Sequence, residues 1–303
     1  MATAIALGNF DGVHKAHEFL VRRMTAYASR MGLESVVYLF VPHTLTVLRP
    51  EAAPGFLMTS AMKMRRLTEI GVDRVHAEER GKEILSLSPE AFVKNILKDE
   101  LDAAYVAAGF NYRFGKQAAG DATLLRRLCE ENGIRCEITN RIESGKETIS
   151  STRLRKLLTA GEIEAVNALS FAPYTLTGVV EEGKKLGREI GFPTLNIQIP
   201  RELLLPRKGV YISRTRIGNK DYKSVTNIGQ NPTVERAVPR AESHLLDFSR
   251  TVYGEEAEIT LLSFLRPEQQ FADVGTLCRQ IRKDTEETKL YFERKDLYGT
   301  DTD

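Results

Sequence analysis

The hydrophobic periodicity of this chain changes character once, near Phe171, and that change limits the possible folds more than any other feature. Up to about Asn140, short apolar runs alternate with stretches of helical spacing. Ala4–Leu7, Ser35–Phe40 and Ala103–Ala108 are expected as buried strands. His17–Arg30, Met62–Ile70, Pro89–Leu97 and Asp121–Asn132 are expected as helices. Gly32, Gly71 and Gly133 stand where such helices stop, each followed by a short apolar segment. Strand–helix alternation implies a parallel sheet with helices on both faces, which collects ligands outside the carboxyl ends of its strands. After Phe171 the pattern becomes strand upon strand: Thr175–Glu182, Gly209–Ile217, Tyr222–Ile228, Ser243–Phe248 and Ala257–Leu265, with no long helix between them. That is the signature of an antiparallel barrel or sandwich. Helical spacing returns over Val274–Phe292, expected to pack on the barrel. At 303 residues the chain exceeds one typical core. A boundary between Leu169 and Pro173 is expected, giving domains 1–170 and 171–303.

A formal charge of only +2 and the lack of a basic block argue against a nucleic-acid partner. With no signal peptide and no long apolar run, Cys129, Cys136 and Cys278 read as reduced thiols of a cytoplasmic protein that touches no membrane. Cys129 and Cys136 flank a turn and are expected as packing residues.

Three segments of the first half carry candidate chemistry. Gly8-Asn9-Phe10-Asp11-Gly12-Val13-His14-Lys15-Ala16-His17 follows the first strand and opens the first helix, where an open sheet gathers phosphate. His14 and His17, three apart, could both reach one phosphate and offset charge developing on phosphorus. The same residues also suit half of a metal site or a plain helix start. In Ile149-Ser150-Ser151-Thr152-Arg153-Leu154-Arg155, Ser150, Ser151 and Thr152 can cap a helix and bare its amides, while Arg153 and Arg155 supply phosphate donors. Gly109-Phe110-Asn111-Tyr112-Arg113-Phe114-Gly115 offers Tyr112 and Phe114 to stack on a flat ring and Asn111 to read its polar edge. Read alone, it also suits a loop packed on the core.

Two segments of the second half do the same. Gly178, Gly183, Gly187 and Gly191 lead into Pro193-Thr194-Leu195-Asn196. Glycines let backbone amides close on an anion, and Thr194 and Asn196 offer hard oxygen ligands for Mg²⁺. A glycine-rich hairpin is the plainer alternative. In Glu242-Ser243-His244-Leu245-Leu246, alternation places Glu242, His244 and Leu246 on one strand face, across the barrel from Thr194 and Asn196, where a carboxylate could accept a proton. Read alone, Glu242 better suits a surface residue of a half-exposed strand.

The first two segments resemble the His-x-Gly-His and Ile-Ser-Ser-Thr-x-x-Arg motifs of the nucleotidyltransferase superfamily. Gly178–Asn196 resembles the ATP-binding segment of riboflavin kinases. All of them together, in this order, resemble the bacterial bifunctional riboflavin kinase/FMN adenylyltransferases, often called FAD synthetases. The resemblance runs from Gly8 to about Asp284 and includes Asn227–Thr233. It implies an α/β nucleotidyltransferase-like, Rossmann-like N-terminal domain and a six-stranded flavokinase barrel. It implies that riboflavin and ATP give FMN, and that FMN and ATP then give FAD and pyrophosphate, with Mg²⁺ as cofactor and small molecules as partners of a monomer or weak oligomer. It implies Glu242 as the catalytic base of the kinase and His14 and His17 as the catalytic pair of the adenylyltransferase. Gly8, Asn9, Phe10, Asp11, Ser150, Ser151, Thr152 and Arg155 would hold nucleotide in the first half, and the glycine series with Pro193 in the second. Asn111, Tyr112, Phe114, Asn227 and Arg266 would hold flavin, with Arg266 closing over the ring. The chain departs from the family at Ala16, where glycine is usual, at Thr44, where a second proline is common, and over Leu169–Tyr174. A kinase-only enzyme, its first domain a weak or inactive flavin-binding scaffold, is the alternative reading.

Overall fold

A computed structural model describes residues 1–44, 46, 55–183, 186–230 and 239–298. They form two compact units, Met1–Leu154 with Leu169–Ala172, and Arg155–Ala168 with Pro173–Asp303. Pro232 and Thr233 of the expected Asn227–Thr233 loop lie outside the described residues.

The first unit is a parallel sheet of β1 (Thr3–Leu7), β2 (Glu34–Phe40), β3 (Arg74–Glu78), β4 (Ala103–Gly109) and β5 (Arg135–Thr139), in the order β3-β2-β1-β4-β5. β1 lies at its centre and is buried on both faces, as its unbroken apolar run requires. Ile5 and Leu7 join one core layer with Val36, Tyr38 and Val106, whereas Ala4 and Ala6 join the other with Val37, Leu39 and Tyr105. Helix α1 (Lys15–Met31) lays Leu20, Val21, Met24 and Ala28 on the second layer. Helix α2 (Ser60–Glu69) follows, and α3 (Ala122–Glu131) packs Leu125, Leu128 and Cys129 on the first layer. The helix expected over Pro89–Leu97 is a short α-turn, Pro89–Ala91, running into a π-helix, Phe92–Glu100. β3 and β5 arise from the short segments after Gly71 and Gly133. Chain order reverses direction between β1 and β4, whose ends pair Leu7 with Ala108. The loops leaving these two strands diverge and open a crevice there.

The second unit starts within α4 (Ser151–Ala160) and includes most of α5 (Ile163–Leu169). Its barrel strands are β6 (Thr175–Glu181), β7 (Leu195–Gln198), β8 (Gly209–Ile217), β9 (Lys220–Gln230), β10 (Pro239–Leu245) and β11 (Glu256–Arg266), closed in the order β8-β9-β10-β7-β6-β11. Residues 155–168 cluster with this barrel, where the expected division at residue 170 had left them with the sheet. Asn167 donates from Nδ2 to the Leu261 carbonyl at 2.8 Å and accepts the Tyr174 amide at 2.8 Å, while the Arg207 amide donates to the Leu158 carbonyl at 3.1 Å. Leu158, Ile163 and Val166 are buried. An amphipathic helix pair shows in sequence that it covers a core, but not which core.

β7, four residues long behind a Pro-Thr turn, is too short to announce itself in the periodicity. β10 lies four residues earlier than expected at its start, and Asp247 turns the chain with φ 56° beyond its end. Leu246 has therefore left the strand and is buried, so only Glu242 and His244 of the expected trio share a face.

Inside the barrel five buried hydroxyls bond one another. Ser213 meets Ser224 at 2.8 Å and Thr226 at 2.7 Å, Thr215 meets Ser224 at 2.8 Å and Ser243 at 3.0 Å, and Thr226 donates to Ser243 at 2.9 Å. On β8 these hydroxyls alternate with the exposed Arg214 and Arg216, so the pleat turns them inward. A hydroxyl both donates and accepts, so the ring satisfies itself without water. Helix α6 (Val274–Tyr298) packs on the outside, with Phe292 buried beneath Lys223, whose Nζ lies 5.3 Å from the ring centre.

Two candidate active sites

The crevice of the first unit holds a cavity of about 490 Å³. Gly8, Asn9, Phe10, His14 and His17 line it after β1, Asn111, Tyr112 and Phe114 after β4, and Ser150, Ser151 and Thr152 at the start of α4. The first loop is conformationally costly, because Phe10 (φ 50°) and Val13 (φ 32°) both have left-handed backbones, rare for bulky residues and rarer for a β-branched one. Contacts from other segments hold it. The Asp11 carboxylate accepts the Leu57 amide at 3.0 Å and 3.3 Å, the Asp11 carbonyl accepts the Ser151 hydroxyl at 2.7 Å, and the Val13 carbonyl accepts the Phe171 amide at 3.0 Å.

These bonds change two expected roles. Asp11 does not line the cavity; it is a buried staple of the loop. Ser151 does line it, but its hydroxyl proton is given to Asp11, so only acceptor capacity is left. Ser150 caps α4, accepting the Arg153 amide at 3.3 Å. Arg153 does not line the cavity, and its Nη1 is held by the Ser144 and Glu147 carbonyls at 3.1 Å and 3.0 Å. Arg155 belongs to the second unit and lines no part of this cavity either.

His14 is the N-cap of α1, with Nδ1 accepting the His17 amide at 3.3 Å. That bond puts the proton of a neutral His14 ring on Nε2, leaving Nε2–H as its donor. The two rings stack with centroids 3.6 Å apart. Burial lowers the His14 pKa to about 4. Burial, then the neighbouring His14 and Lys63, pushes His17 well below its ordinary value. Both imidazoles are therefore neutral at pH 7. The enclosed His17 Nδ1 has no hydrogen-bond partner among the described residues.

On the far wall Phe114 is part of the core, its ring filling the space where Gly120 has no Cβ. Tyr112 stacks on it at 5.9 Å, and burial raises the phenol pKa, so the hydroxyl stays protonated. Phe114 is thus more wall than stacking platform. Phe110 is the exposed aromatic lining the cavity, 5.3 Å from the Arg141 guanidinium carbon, and was not singled out from the sequence. Its only signal there was position, one residue past the strand.

In the barrel unit a cavity of about 320 Å³ is lined by Gly187, Thr194, Asn227, Glu242, His244 and Arg266, together with residues of α6. Register places its polar groups. Glu242 pairs directly with Asn196 of β7 on one side and Asn227 of β9 on the other, so the three share one row. Glu242 is thus a next-strand neighbour of Asn196, not a residue across the barrel. His244, two residues on, donates from Nδ1 to the Pro193 carbonyl at 2.8 Å and pins the Pro-Thr turn against β10.

Of the glycines, only Gly187 lines the cavity. Gly178 is mid-strand, where a Cβ would press on Ile197 at 3.1 Å. A Cβ on Gly183 would collide with the Asn196 amide, and one on Gly187 with the Phe192 carbonyl, at 3.4 Å from Thr194 Oγ1. Gly191 takes φ 85° in the turn before Pro193. Gly183 and Gly187 therefore leave room beside the Asn196 and Thr194 oxygens, a donor set suited to Mg²⁺. Pro193 and Asn196 do not line the cavity, and Asn196 is buried beside it.

Arg266 is gripped by Asp284 of α6, with Nε at 3.0 Å from Oδ1 and Nη2 at 2.7 Å from Oδ2, and Gln280 also donates to Asp284 at 2.9 Å. Asp284 gave no sequence signal beyond its place on a helix. His76, Glu78 and Glu100 are the one metal-like group among the described residues, but Arg80 bridges the two carboxylates at 2.7 Å and 2.6 Å. The guanidinium occupies the place of a cation.

No helix among the described residues is long and apolar enough to cross a membrane. Residues 1–153 match the family model for FAD synthetase and residues 170–292 that for riboflavin kinase. The bifunctional riboflavin kinase/FMN adenylyltransferase of Listeria monocytogenes is 36% identical, over 95% of this chain and 92% of that protein. Those of Escherichia coli K12 and Bacillus subtilis are 33% and 32% identical, over 95% and 96% of this chain and 92% of each relative. A crystal structure described as a macrolide-efflux protein from Streptococcus pneumoniae superposes with TM-score 0.86 at 28% identity, over 95% of this chain and 94% of that one. That likeness shows a shared fold. With both halves matched in order over nearly their full length, the chain belongs to the bifunctional riboflavin kinase/FMN adenylyltransferase family.

Proposed function

We propose that the barrel unit phosphorylates riboflavin and that the sheet unit adenylylates the FMN produced. The observation that carries this is the pair of cavities, one lined by most of the first-half motif residues and the other by Gly187, Thr194, Asn227, Glu242 and Arg266 of the second half. Both family models are present, which favours the bifunctional enzyme over a kinase with an idle first domain.

In the barrel, Glu242 takes the proton of the riboflavin 5′-hydroxyl as that oxygen attacks the γ-phosphorus of ATP and ADP leaves. Thr194 and Asn196 would hold Mg²⁺, which supplies charge neutralisation on the phosphates. Asn227 stands beside Glu242 at the same level of the barrel, where it can orient the attacking hydroxyl. His244 keeps Thr194 in register with Glu242 through the Pro193 carbonyl. Arg266, held by Asp284, faces the flavin with its remaining N–H donors.

In the sheet unit an FMN phosphate oxygen attacks the α-phosphorus of ATP, and pyrophosphate leaves without a covalent enzyme intermediate. The His14 Nε2–H donates to a phosphate oxygen as charge builds, and His17 acts beside it. A neutral donor suits this step, because it stabilises the anion without needing a proton from solvent. The amides after Gly8 and at the start of α4 bind the triphosphate. Asn111, Tyr112 and Phe110 surround the flavin ring.

The chain acts in the cytoplasm, which its three free cysteines support, and on small molecules and not on nucleic acid, which its near-neutral charge supports. Incubation of the pure chain with riboflavin, ATP and Mg²⁺, followed by separation of flavins, tests the assignment. FMN and then FAD are expected, and FMN that never proceeds to FAD would return the kinase-only enzyme.

A further inference from the structure

We propose that Arg113 binds the 5′-phosphate of FMN in the first cavity and sets that cavity's preference for phosphorylated flavin. The inference rests on the adenylyltransferase reading of this cavity. Adenylyl transfer brings a phosphate dianion up to a triphosphate, so the site must offset repulsion between like charges. Among the described residues lining the cavity there is no Asp, Glu or Lys, and the basic ones are His14, His17 and Arg113. Both imidazoles are neutral at pH 7, because burial opposes their charging. The Arg113 guanidinium is then the one permanent charge among the described residues of this lining. Arg153 and Arg155, the arginines expected from the sequence to do this work, lie elsewhere.

Arg113 is exposed and has no hydrogen bond, ion pair or ring contact with a described residue. Its fork of donors is uncommitted, unlike that of Arg80, which is spent on Glu78 and Glu100. Position supports the same assignment. Arg113 lies in the loop after β4, between Tyr112 and Phe114, and β4 is the direct neighbour of β1, whose loop carries the histidines. A flavin ring held by the β4 loop, with its phosphate directed at the β1 loop, passes the phosphate within reach of an arginine in that place. A guanidinium matches phosphate with two parallel N–H···O bonds, and unphosphorylated flavin offers it no such partner.

The test follows FAD formation from FMN and labelled ATP in the full chain, with R113A and R113K compared with wild type. Lumiflavin, the ring without the ribityl phosphate, serves as a competitive probe that cannot be phosphorylated. R113A should raise the KM for FMN roughly ten- to a hundredfold, the range for losing a charge-assisted contact. Lumiflavin inhibition and the KM for ATP should not move, and R113K should fall between, keeping the charge but not the fork. An unchanged KM for FMN in R113A overturns the proposal. So does an equal weakening of lumiflavin, which would mean a ring or structural role, or a rise confined to the KM for ATP. A wild-type chain that makes no FAD would overturn the adenylyltransferase reading itself, and this proposal with it.

Discussion

The two cavities are built by different means. In the sheet unit the candidate residues sit on loops beyond the strand ends, and the loop bearing His14 has two left-handed non-glycine residues held by Asp11, Ser151 and Phe171. In the barrel the candidate residues sit mainly on the strands, and Asn196, Glu242 and Asn227 meet because three neighbouring strands keep one register. A loop site depends on local staples. A register site depends on the whole barrel, since a slip of one residue would turn Glu242 to the other face. The hydroxyl ring inside the barrel opposes such a slip, because Thr226 and Ser243 pair directly and bond each other next to Asn227 and Glu242.

The largest expected contrast is in folding. A fragment from residue 173 onward lacks Leu158, Ile163 and Val166, all buried in the barrel unit. Burying each such side chain contributes roughly 1.5–3 kcal/mol, so this fragment should be insoluble or inert. A fragment from residue 151 should fold and phosphorylate riboflavin. Equal behaviour of the two would show that residues 155–168 are dispensable to the barrel.

Catalysis should separate as cleanly. Glu242→Gln should slow riboflavin phosphorylation by about 10²–10⁴, the usual loss with a general base, while FMN-to-FAD conversion continues. His17→Ala should do the reverse. Kinase turnover within a few-fold of wild type in the first variant would remove Glu242 as the base.

Next comes the Arg266–Asp284 pair, whose acid is only 3% exposed. Leaving one member of a buried pair uncompensated costs about 3–5 kcal/mol. Asp284→Ala should therefore destabilise the barrel by about that amount, lowering its unfolding temperature, and leave the transition of the sheet unit in place. Differential scanning calorimetry of the full chain would resolve the two, and a shift of both transitions would contradict the assignment.

A smaller effect concerns pH. The His14 pKa is lowered from 6.5 to about 4, so between those values the unfolded chain binds a proton that the folded unit refuses. Stability of the sheet unit should rise with pH across that window, by up to about 1.4 kcal/mol per pH unit from this residue, and level off above it. His17 adds in the same direction. Urea unfolding at pH 5 and pH 7 checks the sign, and His14→Gln should flatten the slope.

The smallest expected effect is at Ala16, which lines the first cavity in the first turn of α1. Removing its methyl with Ala16→Gly should speed FAD formation by about tenfold, equivalent to 1.4 kcal/mol of relieved crowding. Equal rates in the two proteins would show that the methyl does not touch the nucleotide.

Much of this was legible in the chain itself. Periodicity determined that a parallel α/β sheet is followed by an antiparallel barrel or sandwich, because buried strands and amphipathic helices leave different spacings in any context, and the family resemblance pointed to the barrel. The segments Gly8–His17, Gly109–Gly115, Ile149–Arg155 and Gly178–Asn196 determined the family, because chemistry needs particular groups at particular spacings. Tertiary structure alone decided the rest. Asp11 stood in the phosphate-gathering loop and Arg153 had the right chemistry for phosphate, yet nothing local tells that Leu57 claims the first and a hairpin the second. Asp284 looked like a solvated helix residue until the helix met Arg266. Arg113 gained its meaning only when burial made its two histidine neighbours on the lining neutral. Residue type and spacing are local properties, whereas a partner, a register and a desolvation penalty arise only between segments far apart in the chain.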